Sequence, residues 1–235
     1  MHRFWEHVIK HVLIAVRPKT IVEIGSLTGV TTFKLLQYCK HLGGRCIVVD
    51  PSPQYDVALL REHYGEEVVN IIEQFSLEAL PSINEYDMIL IDGDHNWYTV
   101  YHELKLVEQM ADKTGRFPVV LLHDTDWPYG RRDMYYYPDS IPEAFRKSYA
   151  TKGMKPGQSE LLEFGGFNNI AYNALYEGGE RNGVRSAIED FIKETPMKLR
   201  HYELFSNNGL SILVPKDEGS LIHSQISYIL DSSGL

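Results

Sequence analysis

Five short apolar runs alternate with helical patterns between residues 20 and 124, and this alternation limits the fold more than any other feature. The runs are "TIVEIG" (20–25), "RCIVVD" (45–50), "EVVNIIEQ" (67–74), "YDMILID" (86–92) and "PVVLLHD" (118–124). The intervening helical patterns are "TTFKLLQYCKHLGG", "PQYDVALLREHYG", "SLEALPSI" and "NWYTVYHELKLVEQMA". In the last, Trp97, Val100, Tyr101, Leu104 and Val107 recur at helical spacing and predict one inward face. Continuous apolar strands separated by helices imply a parallel sheet covered on both faces. Right-handed crossovers then put every strand's C-terminal end on one edge, where such sheets bind their ligands. Polar residues stand at those ends: Glu23, Asp50, Asp92, and His123 with Asp124.

The pattern breaks from Thr125 to about Asn182, a stretch rich in Tyr, Pro and Gly. A structureless segment this long predicts a lid or substrate-binding insertion, with one helical piece, "PEAFRKSYA". Regularity returns with the amphipathic helix "GVRSAIEDFIKE" and with two strands, "KLRHYELF" and "LSILVP", joined by an Asn-Gly turn as a hairpin. After Pro215 the pattern is weak. At the other end, Phe4, Trp5, Val8, Ile9, Val12, Leu13 and Val16 fall on one face of a helix that packs on the domain. The whole chain, 1–235, reads as a single domain.

The formal net charge is −9, which disfavours a nucleic-acid partner. Cys39 and Cys46 form no framework for disulfides, and no run approaches the roughly 20 apolar residues of a membrane span. A soluble, cytoplasmic protein is expected.

In "VEIGSLTGVTT" the glycines Gly25 and Gly29 are spaced GxxxG, two residues after Glu23. This is not the GxGxxG of dinucleotide phosphate binders, and a carboxylate beside the turn suits a cationic ligand. A nicotinamide dehydrogenase is therefore disfavoured. Asp50, ending the second strand, can accept both hydroxyls of an adenosine ribose. Taken singly, these features are equally served by a tight turn and a surface acid; together they predict a nucleoside-type cofactor.

"VEIGSLTGVTT", Asp50 and "YDMILIDGDHNW" resemble the class I S-adenosylmethionine-dependent methyltransferases. The nearest likeness is to small-molecule O-methyltransferases with "IDGDHxYxxVxxDL" and a following "HD". The resemblance covers roughly residues 1–126 and the terminal hairpin. It implies an α/β, Rossmann-like sheet of seven mostly parallel strands, helices on both faces, and an antiparallel last strand. It implies S-adenosylmethionine as cofactor, with Glu23 near the methionine part, Gly25, Ser26 and Gly29 under it, Asp50 at the ribose, Ser76 at the adenine, and Asp92 closing the site. The first loop departs from the commoner ExGxGxG form by lacking its middle glycine.

If the fourth and fifth strands are neighbours, Asp92 and the His123–Asp124 pair converge, and converging carboxylates repel unless a cation lies between them. Metal-dependent sugar and catechol O-methyltransferases are similar in layout, which makes Asp92, His123 and Asp124 candidate ligands for a divalent metal such as Mg or Mn. His123 stands where several relatives have Glu, and imidazole shifts preference toward softer metals. Strand ends of this kind also occur without metal. By resemblance to one macrolide-sugar methyltransferase pattern, His95 occupies the slot of a general base, and imidazole suits that task. The competing reading of "DGDHNW" is a helix cap made by Asp94 or Asn96.

Trp127, Tyr129, Arg131, Arg132 and Tyr135 follow directly and are candidate acceptor contacts: aromatic faces for rings, guanidiniums for an acidic group. The same loop is open to a second reading, as a cover for the core or a face shared in a homodimer. Glu180 and Arg181 either sit near the cleft or start the following helix. The expectation is methyl transfer to a hydroxyl of a small molecule, a sugar, glycosylated metabolite or polyhydroxylated ring, with His95 and Asp92 catalytic. The alternatives are a hydroxylase-like relative on the same fold and a non-catalytic adenosyl-ligand-binding protein.

Overall fold

The computed structural model describes residues 1–216 and 219–235. Among them, seven strands form the main sheet: β1 Thr20–Ile24, β2 Arg45–Val49, β3 Val69–Ile72, β4 Met88–Ile91, β5 Val119–His123, β9 Leu199–Leu204 and β10 Leu210–Pro215. Their order is β3-β2-β1-β4-β5-β10-β9. β1 to β5 pair in parallel, and β10 runs antiparallel to both β5 and β9. The order reverses between β1 and β4, so the crevice of the sheet opens beside Gly25 and Asp92.

Strand alternation splits the core in two. On one face Ile21, Val48, Leu90 and Leu121 pack with α1 Lys10–Val16, α2 Val30–Leu42 and Ile226 of α7 Ser220–Ser232. On the other, Val22, Val49, Ile89 and Val120 pack with α5 Trp97–Thr114 and α6 Val184–Glu194, and with Ala79 of the short α4 Ser76–Ala79. α1 continues a 3-10 turn, His2–Phe4, and a π-helical turn, Trp5–Ile9, and this whole segment buries the apolar face read from the sequence. No helix among the described residues is long and apolar enough to cross a membrane.

Three expectations need correcting. The segment 125–182 is not structureless: β6 Met134–Tyr135, β8 Tyr172–Ala174 and β7 Tyr149–Ala150 form a second sheet in that order. Strands of two or three residues are too short to show a period. The buried Asn173 holds this sheet to its loops by donating to the carbonyls of Lys152 and Asn168. The helix expected over 142–150 is only a 3-10 turn, Glu143–Phe145, followed by β7. Nine residues are too few to offset helix nucleation. The weakly patterned tail contains α7, whose Ile222, Ile226, Ile229 and Leu230 are spaced for one helical face. The second helical pattern also starts late, as α3 Val57–Tyr64, because Asp56 caps it through Leu59 N.

α5 carries Glu103 fully buried, and its carboxylate oxygens find no hydrogen-bond partner among the described residues. Burial pushes this carboxyl up to about 8, against a small lowering from the nearby Ser76 hydroxyl. A raised carboxyl pKa means that the folded state keeps a proton which the unfolded chain releases. Stability should therefore fall as pH rises from the usual carboxylate range toward 8, with a slope of up to about 1.4 kcal/mol per pH unit from this group. Glu103→Gln should flatten that slope in urea unfolding at pH 5 and pH 8. An unchanged slope refutes the assignment.

Candidate active site

The loop after β1 turns at Gly25, whose φ is +81°. Gly25 N donates to Val49 O, and Asp92 N donates to Ile24 O, so the loop leaves the sheet between its two neighbours. A Cβ on Gly25 would stand 2.3 Å from the Asp92 carbonyl oxygen. Gly29, also at positive φ, begins α2, and a Cβ there would meet the Phe33 and Tyr55 rings. Asp50 organises the loop: its Oδ2 accepts from Ser26 N at 2.7 Å, Ser26 Oγ at 2.9 Å and Leu27 N at 2.8 Å. Its Oδ1 accepts from Ser52 N at 2.8 Å. Glu23 lies beneath the loop, buried, with Thr32 Oγ1 donating to it at 2.6 Å. Burial pushes the Glu23 carboxyl up to about 8, and the carboxylates of Asp92 and Asp50 add to this. Ser76 opens α4 and is buried beside Glu103, while Phe75 before it is exposed.

β4 ends in a partly exposed Asp92 and β5 in His123 and Asp124. His95 Nε2 lies 2.7 Å from Asp124 Oδ2 and 3.9 Å from Asp92 Oδ1. His123 Nδ1 lies 2.8 Å from Asp124 Oδ2 and 3.1 Å from Asp92 Oδ1. The α-ammonium of Met1 lies 2.5 Å from Asp92 Oδ2. Burial alone would depress both imidazoles. The carboxylates override it: Asp124 holds His95 well above the usual histidine range, and Asp92 with Asp124 pushes His123 up to about 9. Burial opposes ionisation of both acids as well. His123 keeps Asp92 well below the carboxylate range, and His95 does the same for Asp124. Nε2 of His123 and Nδ1 of His95 are buried without a partner among the described residues.

One ligand-type atom each from Asp92, His95 and Asp124 lies within 4.8 Å of the other two. Sequence reasoning expected His123 with the two acids and His95 as base; the geometry brings both imidazoles to the carboxylates, His123 within 3.1 Å of each and His95 within 2.7 Å of Asp124. Asn96 caps α5, and Asp94 braces that cap. Asp94 accepts from His95 N and Thr99 Oγ1, and Asn96 Oδ1 accepts from Thr99 N. Asn208 was missed. It donates to Asp124 Oδ1 at 3.1 Å from the Asn-Gly turn of the terminal hairpin. The motif identified the turn, but only the pairing of β10 with β5 brings that turn to the site.

Of the aromatic residues, Tyr129 is buried with its ring centroid 5.3 Å from that of His95, and the exposed Tyr136 stands at 5.7 Å. Tyr137 meets Phe75 edge-on at 5.3 Å, so this part of the lid reaches the α4 side of the crevice. Trp127 packs against Phe167 within the lid. Arg131, Arg132 and Tyr135, expected at the acceptor, have their polar groups engaged within the protein. Arg131 forms a bidentate pair with Glu189 of α6. Arg132 is buried and donates to the carbonyls of Ala174 and Ser159, and Tyr135 donates to Asp133. Arg181 does not start α6. It lies with its guanidinium 5.2 Å from the Trp97 ring, in a separate cleft of about 690 Å³ beside α5 and α6 that Glu180 also lines.

Residues 22–125 match a family model described as a methyltransferase domain. A relative, the O-methyltransferase hkm8 of Aspergillus hancockii, is 31% identical over 115 residues, 47% of this chain and 44% of that protein. The chain thus aligns with less than half the length of that relative. The Podospora anserina methyltransferase PaMTH1, solved with SAH bound, superposes with a TM-score of 0.53 at 14% identity, covering 88% of this chain and 77% of that one. A Staphylococcus aureus protein provisionally assigned as a caffeoyl-CoA O-methyltransferase gives 0.51 at 15% identity, covering 88% and 80%. At such identities the two structures speak for the fold, and the sequence match for the domain. A glycine loop between β1 and α2, an acid at the end of each of β1, β2 and β4, and a β5–β10–β9 antiparallel edge, read with these matches, give residues 22–125 the likeness of a methyltransferase domain and the whole chain an α/β, Rossmann-like methyltransferase fold.

Proposed function

We propose that the chain transfers a methyl group from S-adenosylmethionine to a hydroxyl of a small molecule, a sugar, glycosylated metabolite or polyhydroxylated ring. The observation that carries this reading is the convergence of Asp92, His95 and Asp124 within 4.8 Å, next to the loop that the Gly25 backbone presses against Asp92. Support for the cofactor comes from SAH in the Podospora structure, and support for oxygen as acceptor from the fungal relative. Glu23, Gly25, Ser26, Gly29, Asp50 and Ser76 would hold the cofactor. The rings of Tyr129 and Tyr136 beside His95 offer a face to a cyclic acceptor.

A divalent metal fits the donor set: two carboxylates and an imidazole in mutual reach, with further imidazole nitrogens buried and unbonded among the described residues. Asp92, Asp124 and His123, whose Nδ1 lies within 3.1 Å of both acids, would hold it, and His95 would stay free for the proton. A metal there would bind the acceptor's oxygen and lower its pKa. The chain's own share is alignment and deprotonation. An oxygen lone pair of the acceptor forms the new C–O bond as the C–S bond of the sulfonium breaks, and the hydroxyl proton leaves to the neutral form of His95, which Asp124 makes the minor form at neutral pH and which grows as pH rises.

The test is calorimetry with SAH and electron paramagnetic resonance with Mn²⁺, followed by labelled methyl transfer to a panel of catechols, flavonoids and glycosides. Saturable SAH binding and transfer to oxygen are expected. His95→Ala should lower kcat by roughly 10²–10⁴ while leaving SAH affinity intact. Full turnover in that variant removes His95 from the reaction, and absence of SAH binding by the unaltered chain sinks the reading.

A further inference from the structure

We infer that Asp133, a lid residue remote from the cofactor loop in sequence, is the positioning residue for His95. Asp133 is fully buried. Its Oδ1 accepts from Trp97 N at 2.7 Å and from Gly183 N at 2.6 Å, and its Oδ2 accepts from Tyr135 Oη at 2.9 Å. Its own amide donates to Asn182 Oδ1 at 2.8 Å, and its carbonyl accepts from Ala174 N at 2.9 Å. One carboxylate oxygen therefore joins the start of α5 to the start of α6, while the backbone of the same residue ties both to the lid sheet.

Trp97 is the first residue of α5, and the first amides of a helix have no partner within it. Water cannot serve here, because Trp97 is buried, so an internal acceptor is required. The neighbouring Met134 N donates to His95 O at 3.0 Å, a bridge that pins His95 from the other side. His95 is thus gripped at its carbonyl by residue 134 and, two residues on, at Trp97 N by residue 133. The grip matters because, beside the packing of Tyr129 and Tyr136, one ring nitrogen alone is hydrogen-bonded: Nδ1 has no partner among the described residues, and Nε2 is anchored at 2.7 Å to Asp124. A hydrogen bond weakens steeply with misalignment, so a small backbone drift at residue 95 would break that contact. Lid and active-site loop are accordingly joined through residues 133 and 134, while the next residues, Tyr136 and Tyr137, are exposed.

The inference gains its functional meaning from the role proposed for His95, but its test does not depend on turnover. The full chain labelled with ¹⁵N-histidine gives imidazole resonances, and His95→Gln identifies those of residue 95. Asp133→Ala should shift or broaden the His95 Nε2 resonance by more than its linewidth, with the SAH dissociation constant changed by less than about twofold, roughly 0.4 kcal/mol. Asp133→Asn should restore the unaltered spectrum. Its amide oxygen still accepts from Trp97 N and Gly183 N, and its NH₂ can donate to the Tyr135 oxygen. A residue important only for its charge would not be rescued in this way. Should Asp133→Ala not fold, Tyr135→Phe removes one bond to the same carboxylate and must move the same resonance. A His95 signal unmoved in the alanine or phenylalanine variant overturns the inference, as does an asparagine variant displaced as far as alanine. Failure of the methyltransferase reading would show elsewhere, as an unaltered chain that does not bind SAH.

Discussion

Asp124→Ala is expected to abolish methyl transfer and to cost about 3–5 kcal/mol of stability, because it leaves one side of a buried ion-pair network uncompensated. Asp124 Oδ2 is the shared acceptor of His95 at 2.7 Å and His123 at 2.8 Å, and its Oδ1 takes Asn208. Without it, burial depresses His95, whose charged form loses its closest carboxylate. Asp124 also sits at φ +57°, so alanine adds backbone strain of about 1 kcal/mol that asparagine largely avoids. Asp124→Asn should therefore separate the two effects, keeping most of the stability while losing the charge that serves His95 and a metal. Urea unfolding, Mn²⁺ binding and turnover measured on both variants check this. A fully active alanine variant would remove Asp124 from the site.

Gly25→Ala is expected to be the most damaging change in the cofactor loop. The added Cβ would stand 2.3 Å from Asp92 O and 2.6 Å from Gly93 Cα, both backbone atoms, at a φ of +81°. No rotamer relieves such a clash. The strained conformation costs about 1–2 kcal/mol and the forced separation of β1 and β4 about 1–3 more. At roughly 2–4 °C per kcal/mol for a chain of this size, melting should fall by about 5–15 °C. SAH binding should be lost as well, because Asp92 moves with the strand end. Gly29→Ala is the control: its Cβ would meet the ring of Phe33, which is partly exposed and can turn aside, so a smaller loss is expected. Equal damage in the two variants would show that close backbone packing at Gly25 is not what the loop needs.

Much of the site was legible because strand ends are local. "TIVEIG", "RCIVVD", "YDMILID" and "PVVLLHD" each state where a strand stops and which polar group it leaves there. The lid was not legible, because its strands are two or three residues long and are held by buried polar groups, Asn173 and Asp133, that look like ordinary loop residues in a one-dimensional reading. The partners of the two arginines were not legible either: Glu189, 58 positions further on, pairs with Arg131, and the carbonyl of Ala174, 42 further on, accepts from Arg132. α7 was readable in its isoleucine spacing and was overlooked because its flanks carry few signals.

Hydrophobic periodicity by itself determined the sheet, its two helical layers and the rim on which the acids stand, since burying alternating runs admits few other arrangements. Which nitrogen faces which carboxylate was decided only in three dimensions, where β4 and β5 lie side by side, the hairpin brings Asn208 to Asp124, and Asp133 fastens the lid to the amide two residues beyond His95. Hydrogen bonds act over a few ångströms and between residues as much as 91 positions apart in this site, a separation no local pattern encodes.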